Sequence, residues 1–120
     1  MSPHALVFVS MVHRPLYDVN NKKYMDIQLD PEIANKIRTI HSKEKCKITI
    51  GKPRDPLSTD DVLSVKVPWR YKRVDCKVSG ITPVQAMQTG DRVWTAIEYC
   101  GTWASGLYWK FSSIGVVTDS

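Results

Sequence analysis

The sequence has little of what would commit it to a metal, a disulfide framework, a membrane or a familiar catalytic centre. Its three cysteines, Cys46, Cys76 and Cys100, are an odd number with no C-x-x-C spacing, and His4, His13 and His41 form no ligand pattern with them. That disfavours structural zinc and disulfides, and leaves three reduced thiols in or near the core of an intracellular protein, cytoplasmic or nuclear. Long apolar runs are also missing. Ala5 to Val9, continued through Ser10 to Val12, is far shorter than the roughly 20 residues a spanning helix needs, and no basic segment precedes it. It reads as a strand, with no membrane as partner. There is no G-x-S-x-G, H-E-x-x-H, glycine-rich phosphate loop or H-x-E with a cysteine pair, and the acids have no metal-site spacing. Asp60-Asp61 comes nearest to a carboxylate pair, but adjacent acids in a Pro/Ser loop are ordinarily solvated. Neither an enzyme nor a cofactor is expected.

What is present is positive charge, unevenly spread. The chain carries 17 Lys+Arg against 12 Asp+Glu, a net charge of +5. Lys36 to Arg54 holds seven cations (Lys36, Arg38, Lys43, Lys45, Lys47, Lys52 and Arg54) against Glu44 alone, and Lys66 to Lys77 holds five against Asp75. These two stretches exceed the charge of the whole chain, so the remainder is acidic, and they are where a polyanion would be attracted.

With 120 residues, 42% of them apolar, one core and one domain over 1–120 are expected. Ala5 to Val12 is β-prone and ends at Arg14-Pro15. Asp18 to Asn21 supplies turn residues. Lys22 to Leu29 then alternates, with Met25, Ile27 and Leu29 on one face and Tyr24, Asp26 and Gln28 on the other. Asp30-Pro31-Glu32 starts a helix, and Ile33, Ile37 and Ile40 recur at helical spacing through about Ser42. Lys45 to Ile50 alternates as a strand with Cys46 inward and Lys45 and Lys47 in solvent. Lys52 to Asp61 is loop, and Val62 to Val67 and Val74 to Val78 are short strands. Gly80 to Gly90 could hold a helical turn around Val84 to Gln88. Arg92 to Cys100 and Leu107 to Val117 make a closing hairpin across Gly101 to Gly106. Several short strands with one amphipathic helix suit a mainly β fold. The first expectation is a small five-stranded Greek-key barrel, OB-fold-like, and the alternative a β-sandwich.

Two constellations carry chemistry. Lys66-Val67-Pro68-Trp69-Arg70-Tyr71-Lys72-Arg73 interleaves two aromatics with four cations. Unpaired nucleic acid is held by that combination: cations follow the phosphates, and flat rings accept bases of any sequence at about 1–3 kcal/mol per stacked base. The competing reading is an edge strand kept soluble by charge, with Trp69 in the core. In the closing hairpin, alternation from Leu107 puts Trp109 and Phe111 on one face and Tyr108 and Lys110 on the other, so Tyr108 and Lys110 are the ligand candidates. Trp103, in a glycine-bounded loop, joins them, as does Lys47 from the first basic stretch.

Gly90-Asp91-Arg92-Val93-Trp94-Thr95-Ala96-Ile97-Glu98-Tyr99 and then Gly106-Leu107-Tyr108-Trp109-Lys110-Phe111-Ser112-Ser113-Ile114-Gly115-Val116-Val117 resemble the closing hairpin of OB-fold single-stranded DNA-binding proteins of bacteriophages and large DNA viruses. The shared features are a glycine-aspartate turn, a strand ending in an aromatic, and a glycine-led strand ending in small apolar residues. The resemblance covers about the last quarter of the chain. It implies no cofactor, binding to unpaired DNA in replication or recombination, and frequent homo-oligomerisation. Members commonly carry an acidic C-terminal tail that recruits partners, whereas this sequence ends in Thr118-Asp119-Ser120. The expected partner is therefore single-stranded DNA, with RNA as a variant. Two readings compete with it: a viral accessory module whose basic face meets an acidic protein, and a small structural β-barrel subunit.

Overall fold

The computed structural model describes residues 4–47, 54–103 and 106–117. It is mainly β, with one α-helix. In chain order the elements are β1 (Ala5–Val19), β2 (Lys22–Gln28), α1 (Pro31–Lys45), β3 (Val62–Lys66), β4 (Trp69–Arg70), β5 (Arg73–Val74), β6 (Lys77–Ser79), a single 3-10 turn (Val84–Ala86), β7 (Arg92–Trp103) and β8 (Gly106–Val116). Six strands form one mixed sheet in the order β3-β2-β1-β7-β8-β6, and a further pairing of β3 with β8 closes five of them into a ring. Neighbours in the ring are antiparallel except at that closure, where Lys66 and Lys110 pair in parallel.

Alternation decides what each strand turns inward. β1 buries Phe8, Ser10 and Val12, β2 buries Met25 and Ile27, and β3 buries Leu63 and Val65. β7 adds Val93, Thr95, Ile97 and Tyr99, and β8 adds Leu107, Trp109, Phe111 and Ile114. The phase of β8 changes once, at a register shift opposite Ala96 and Ile97. Beyond it Ile114 is buried rather than Ser113, as a bulge requires. The buried hydroxyls of Ser10 and Thr95 meet each other, Ser10 Oγ lying 2.9 Å from Thr95 Oγ1. β6 runs close against β8 because Gly115 has no side chain: a Cβ there would stand 2.6 Å from the Ser79 carbonyl oxygen.

Five expectations need correction. β1 does not stop at Arg14-Pro15 but continues to Val19. The proline falls among register shifts between Val12 and Tyr17, where the ladder does not need its missing N–H. The helix outruns Ser42 and reaches Lys45, its last turn carrying Lys43 and Lys45, charges that suit the negative end of the helix dipole. Lys45 to Lys47 are therefore not strand, and Cys46, as the helix C-cap, is exposed rather than inward. The expected continuation through Ile48 and Ile50 lies outside the described residues. Val74 to Val78 is not one strand: β5 ends at Val74 and β6 begins at Lys77. Gly101 to Gly106 is not a loop, because β7 continues through Gly101 to Trp103, which pairs with Gly106, so Trp103 stands at a strand end. The helix start and the first turn agree with the sequence: α1 begins after Asp30 with Pro31 in its first turn, and Asn20 and Asn21 take left-handed angles (φ 51° and 65°) in the β1–β2 turn.

The buried face of α1 is Ala34, Ile37 and His41, with Ile33 and Ile40 packed at its margin. His41 is the polar member. Trp109 Nε1 donates to His41 Nε2 at 2.8 Å, and His41 Nδ1 lies 2.9 Å from Asp55 Oδ1, so the helix, the loop before β3 and the centre of β8 are fastened at one point.

Candidate nucleic-acid interface

Residues directly opposite one another across strand pairs share a face. Starting from Tyr17 on β1, the partners run Tyr24 on β2, Lys66 on β3, Lys110 on β8 and Glu98 on β7, returning to β1 at Ala5. None of these is in the buried core, so this row is an outward band around the ring.

Its chemistry is aromatic and cationic. Tyr17 and Tyr24 stack with ring centroids 5.9 Å apart, and Arg14 lies 3.8 Å from the centre of the Tyr17 ring. Tyr17 Oη donates to Asp26 Oδ1 at 2.6 Å; partial burial, then that bond, raise the phenol pKa, so Tyr17 stays neutral. Across the closure, Lys66 Nζ sits 5.7 Å from the Tyr108 ring centre, placing two of the sequence-derived candidates in contact. Lys110, the third, meets Glu98 at 3.1 Å, a hydrogen bond that raises its pKa and keeps it charged. An ion pair this exposed is worth only about 0–1 kcal/mol, so a phosphate can replace Glu98 as its partner at little cost.

The interleaved segment leaves β3 directly after Lys66. It is neither an edge strand of the large sheet nor a loop but a hairpin of its own, with Trp69 opposite Val74 and Arg70 opposite Arg73. Tyr71 and Lys72 form the turn, both left-handed at φ 53° and 64°, the geometry that two-residue hairpins favour and that Asn-Gly normally supplies. Tyr71 is 83% exposed, with the Arg70 guanidinium 5.5 Å from its ring centre. Trp69 is half-buried: it packs against the core while Lys23 Nζ lies 4.8 Å from its ring centre. Among the described residues no carboxylate pairs with Lys66, Arg70, Lys72 or Arg73.

The candidates thus divide. Lys66, Tyr108 and Lys110 converge at the ring closure, and Trp69, Arg70, Tyr71, Lys72 and Arg73 form the hairpin that springs from it. Lys47 does not join them. It follows the C-terminus of α1 and meets Glu44 at 3.3 Å. The Trp103 side chain lies outside the described residues. Sequence reading misses Arg14 and Tyr17, because Pro15 reads as the end of β1. It puts Tyr24 on the wet face without giving it a role.

The described residues hold no cluster of three or more His, Cys, Asp or Glu able to take a metal ion, and no helix long and apolar enough to cross a membrane. No family model, curated protein or solved structure matches this chain, so its functional reading stands on its own residues.

Proposed function

We propose that this chain is a sequence-tolerant binder of single-stranded nucleic acid, DNA in the first instance, built on an OB-fold-like five-stranded barrel. The carrying observation is the outward band at the ring closure, where Lys66, Tyr108 and Lys110 meet and the Trp69–Val74 hairpin begins. Rings alternate there with cations that have no carboxylate or only a weakly held one. A single strand offers the matching pattern, phosphates at regular intervals with free base faces between them. The ring order also supports the reading. In OB-folds the face of the second and third strands, with the loops between the first two and the last two strands, takes oligonucleotides. Here the second and third ring strands are β2 and β3, which carry Tyr24 and Lys66. Strands of this kind are exposed in replication and recombination, the setting in which such a protein would act.

Titration of the tryptophan fluorescence with a homopolymeric oligonucleotide tests this. Saturable binding is expected without added metal, weakened by about 1–3 kcal/mol in Tyr108→Ala at unchanged melting temperature. Unchanged affinity in both Tyr108→Ala and Tyr71→Ala would overturn the assignment.

A further inference from the structure

Outside the basic band, the outward side of β7, β8 and β6 joins an exposed ring to free cations. Trp94 lies between the buried Val93 and Thr95, so its indole points outward, and it is 52% exposed. Opposite it on β8 is Gly115, which pairs in turn with Ser79 on β6. One outward row further on, Ala96 pairs with Ser113 and Ser113 with Lys77. A hollow of about 110 Å³ lies against the indole, lined also by Ala96, Ser113 and Ser79. Arg92 and Lys77 flank it, and both are exposed. Among the described residues no carboxylate pairs with either. Lys77 is the last cation of the second basic stretch, and neither the band nor the hairpin uses it.

We propose that this platform is a second stacking subsite, taking one further base of the unpaired strand on the Trp94 ring and the phosphates beside that base on Arg92 and Lys77. It rests on the single-strand reading above and lengthens that site. The chemistry selects the occupant. An apolar protein segment would cover the indole but leave both cations without an anion, and an acidic one would answer the cations but not the ring. A base with its flanking phosphates meets both, and the Ser79 and Ser113 hydroxyls beside the hollow can donate to or accept from a base edge. Continuity with the band points the same way. Trp94 is four residues along β7 from the position opposite Lys110, about 13 Å at the usual strand rise. Between the two lie Ala96 and the serines of the β8 bulge, Ser112 and Ser113, side chains too short to obstruct a strand crossing them. A strand held at Lys66, Tyr108 and Lys110 therefore reaches Trp94 once it is long enough, and a short one does not.

Titration of the full chain with homopolymeric DNA of increasing length tests it, read by the anisotropy of a labelled strand so that loss of a tryptophan does not alter the signal. Wild-type affinity is expected to rise with length and level off once the strand spans both the closure and the platform. Trp94→Ala should lower affinity for the long strand roughly 5-fold or more, the loss of one stacked base, and leave the shortest strand that binds unaffected. Trp94→Phe, which keeps a ring, should recover much of that loss. Lys77→Ala, at an exposed position, should flatten the salt dependence for the long strand alone. A Trp94→Ala loss equal at every length would overturn the proposal, as would long-strand binding unchanged in both Trp94→Ala and Lys77→Ala. If Trp94→Ala instead lowers the sedimenting mass of the free protein at unchanged long-strand affinity, the face is a protein contact and the proposal fails. Wild-type protein that binds no strand at any length would overturn this inference and the single-strand reading together. A Trp94→Ala variant indifferent at every length, while Tyr108→Ala still weakens binding, would overturn this one alone.

Discussion

His41 shows how much a single hydrogen bond can specify. The Trp109 indole can only donate, so the His41 Nε2 that receives it must carry a lone pair. The ring is therefore neutral, with its proton on Nδ1 facing Asp55. Burial pushes the His41 pKa below its ordinary 6.5, against the pull of Asp55. Asp55 itself lies below the usual carboxylate range: burial opposes this, but Lys45, the Leu57 N–H and His41 outweigh it. The unfolded chain thus binds a proton at His41 more readily than the folded one. The contribution of His41 to stability should be flat above pH 6.5 and fall as the pH drops below it, until the folded imidazole also titrates. Urea midpoints across that range measure the slope. His41→Phe should abolish this step and cost about 1–3 kcal/mol at neutral pH, because the Trp109 N–H is left without an acceptor. Neighbouring rings on β8 have opposite fates. Trp109 is fully buried, so Trp109→Ala should cost about 3–5 kcal/mol, whereas Tyr108→Ala should lower oligonucleotide affinity and leave stability nearly intact. Thermal melts of the pair distinguish them.

Among the elements, the β4–β5 hairpin is the one whose sequence contradicts its backbone. Left-handed angles cost a residue with a side chain about 1–2 kcal/mol, yet Tyr71 and Lys72 both adopt them at an exposed tip. Asn-Gly would form the same turn with less strain, so retaining a tyrosine and a lysine makes sense if their side chains are used. The double variant Tyr71→Asn, Lys72→Gly is accordingly expected to raise the melting temperature and weaken oligonucleotide binding together; a gain in stability with unchanged affinity would leave the tip without a binding role. This hairpin also marks where sequence reading runs out. Period-two alternation exposes the inward rows of β2 and of the first half of β8 because one face of each is buried, and Asp30-Pro31 announces α1 through ordinary capping chemistry. Bulges and non-glycine turns leave no such mark. Pro15 therefore hides the second half of β1 with Arg14 and Tyr17, and Tyr71-Lys72 hides a turn. The meeting of Lys66 with Lys110 is illegible for another reason: it is a parallel contact between residues 44 positions apart, and no local pattern encodes it.

For the whole molecule, the question is whether its positive charge acts as a diffuse attraction or as a set of placed contacts. A net +5 draws any polyanion, single-stranded, duplex or an acidic protein alike. Placed contacts behave otherwise. Each phosphate neutralised by a lysine or arginine on a single strand releases counterions and adds about 0.7 to the slope of log affinity against log salt, whereas a stacked ring adds affinity and no slope. The band and hairpin hold both kinds of group, so their variants should separate. Lys66→Ala, Arg70→Ala and Arg73→Ala are each expected to weaken binding and flatten the salt dependence by up to about that increment. Tyr71→Ala and Tyr108→Ala should lower affinity by a similar factor at every salt concentration and leave the slope unaltered. Duplex presents phosphates but no free base faces, so it should follow the lysine and arginine variants and ignore the tyrosine ones. Fluorescence titrations with single-stranded and duplex oligonucleotides over a range of salt read all of these at once. If the cation variants flatten the slope while the tyrosine variants change nothing for either ligand, the surface is an electrostatic patch suited to an acidic protein, and the stacking reading fails.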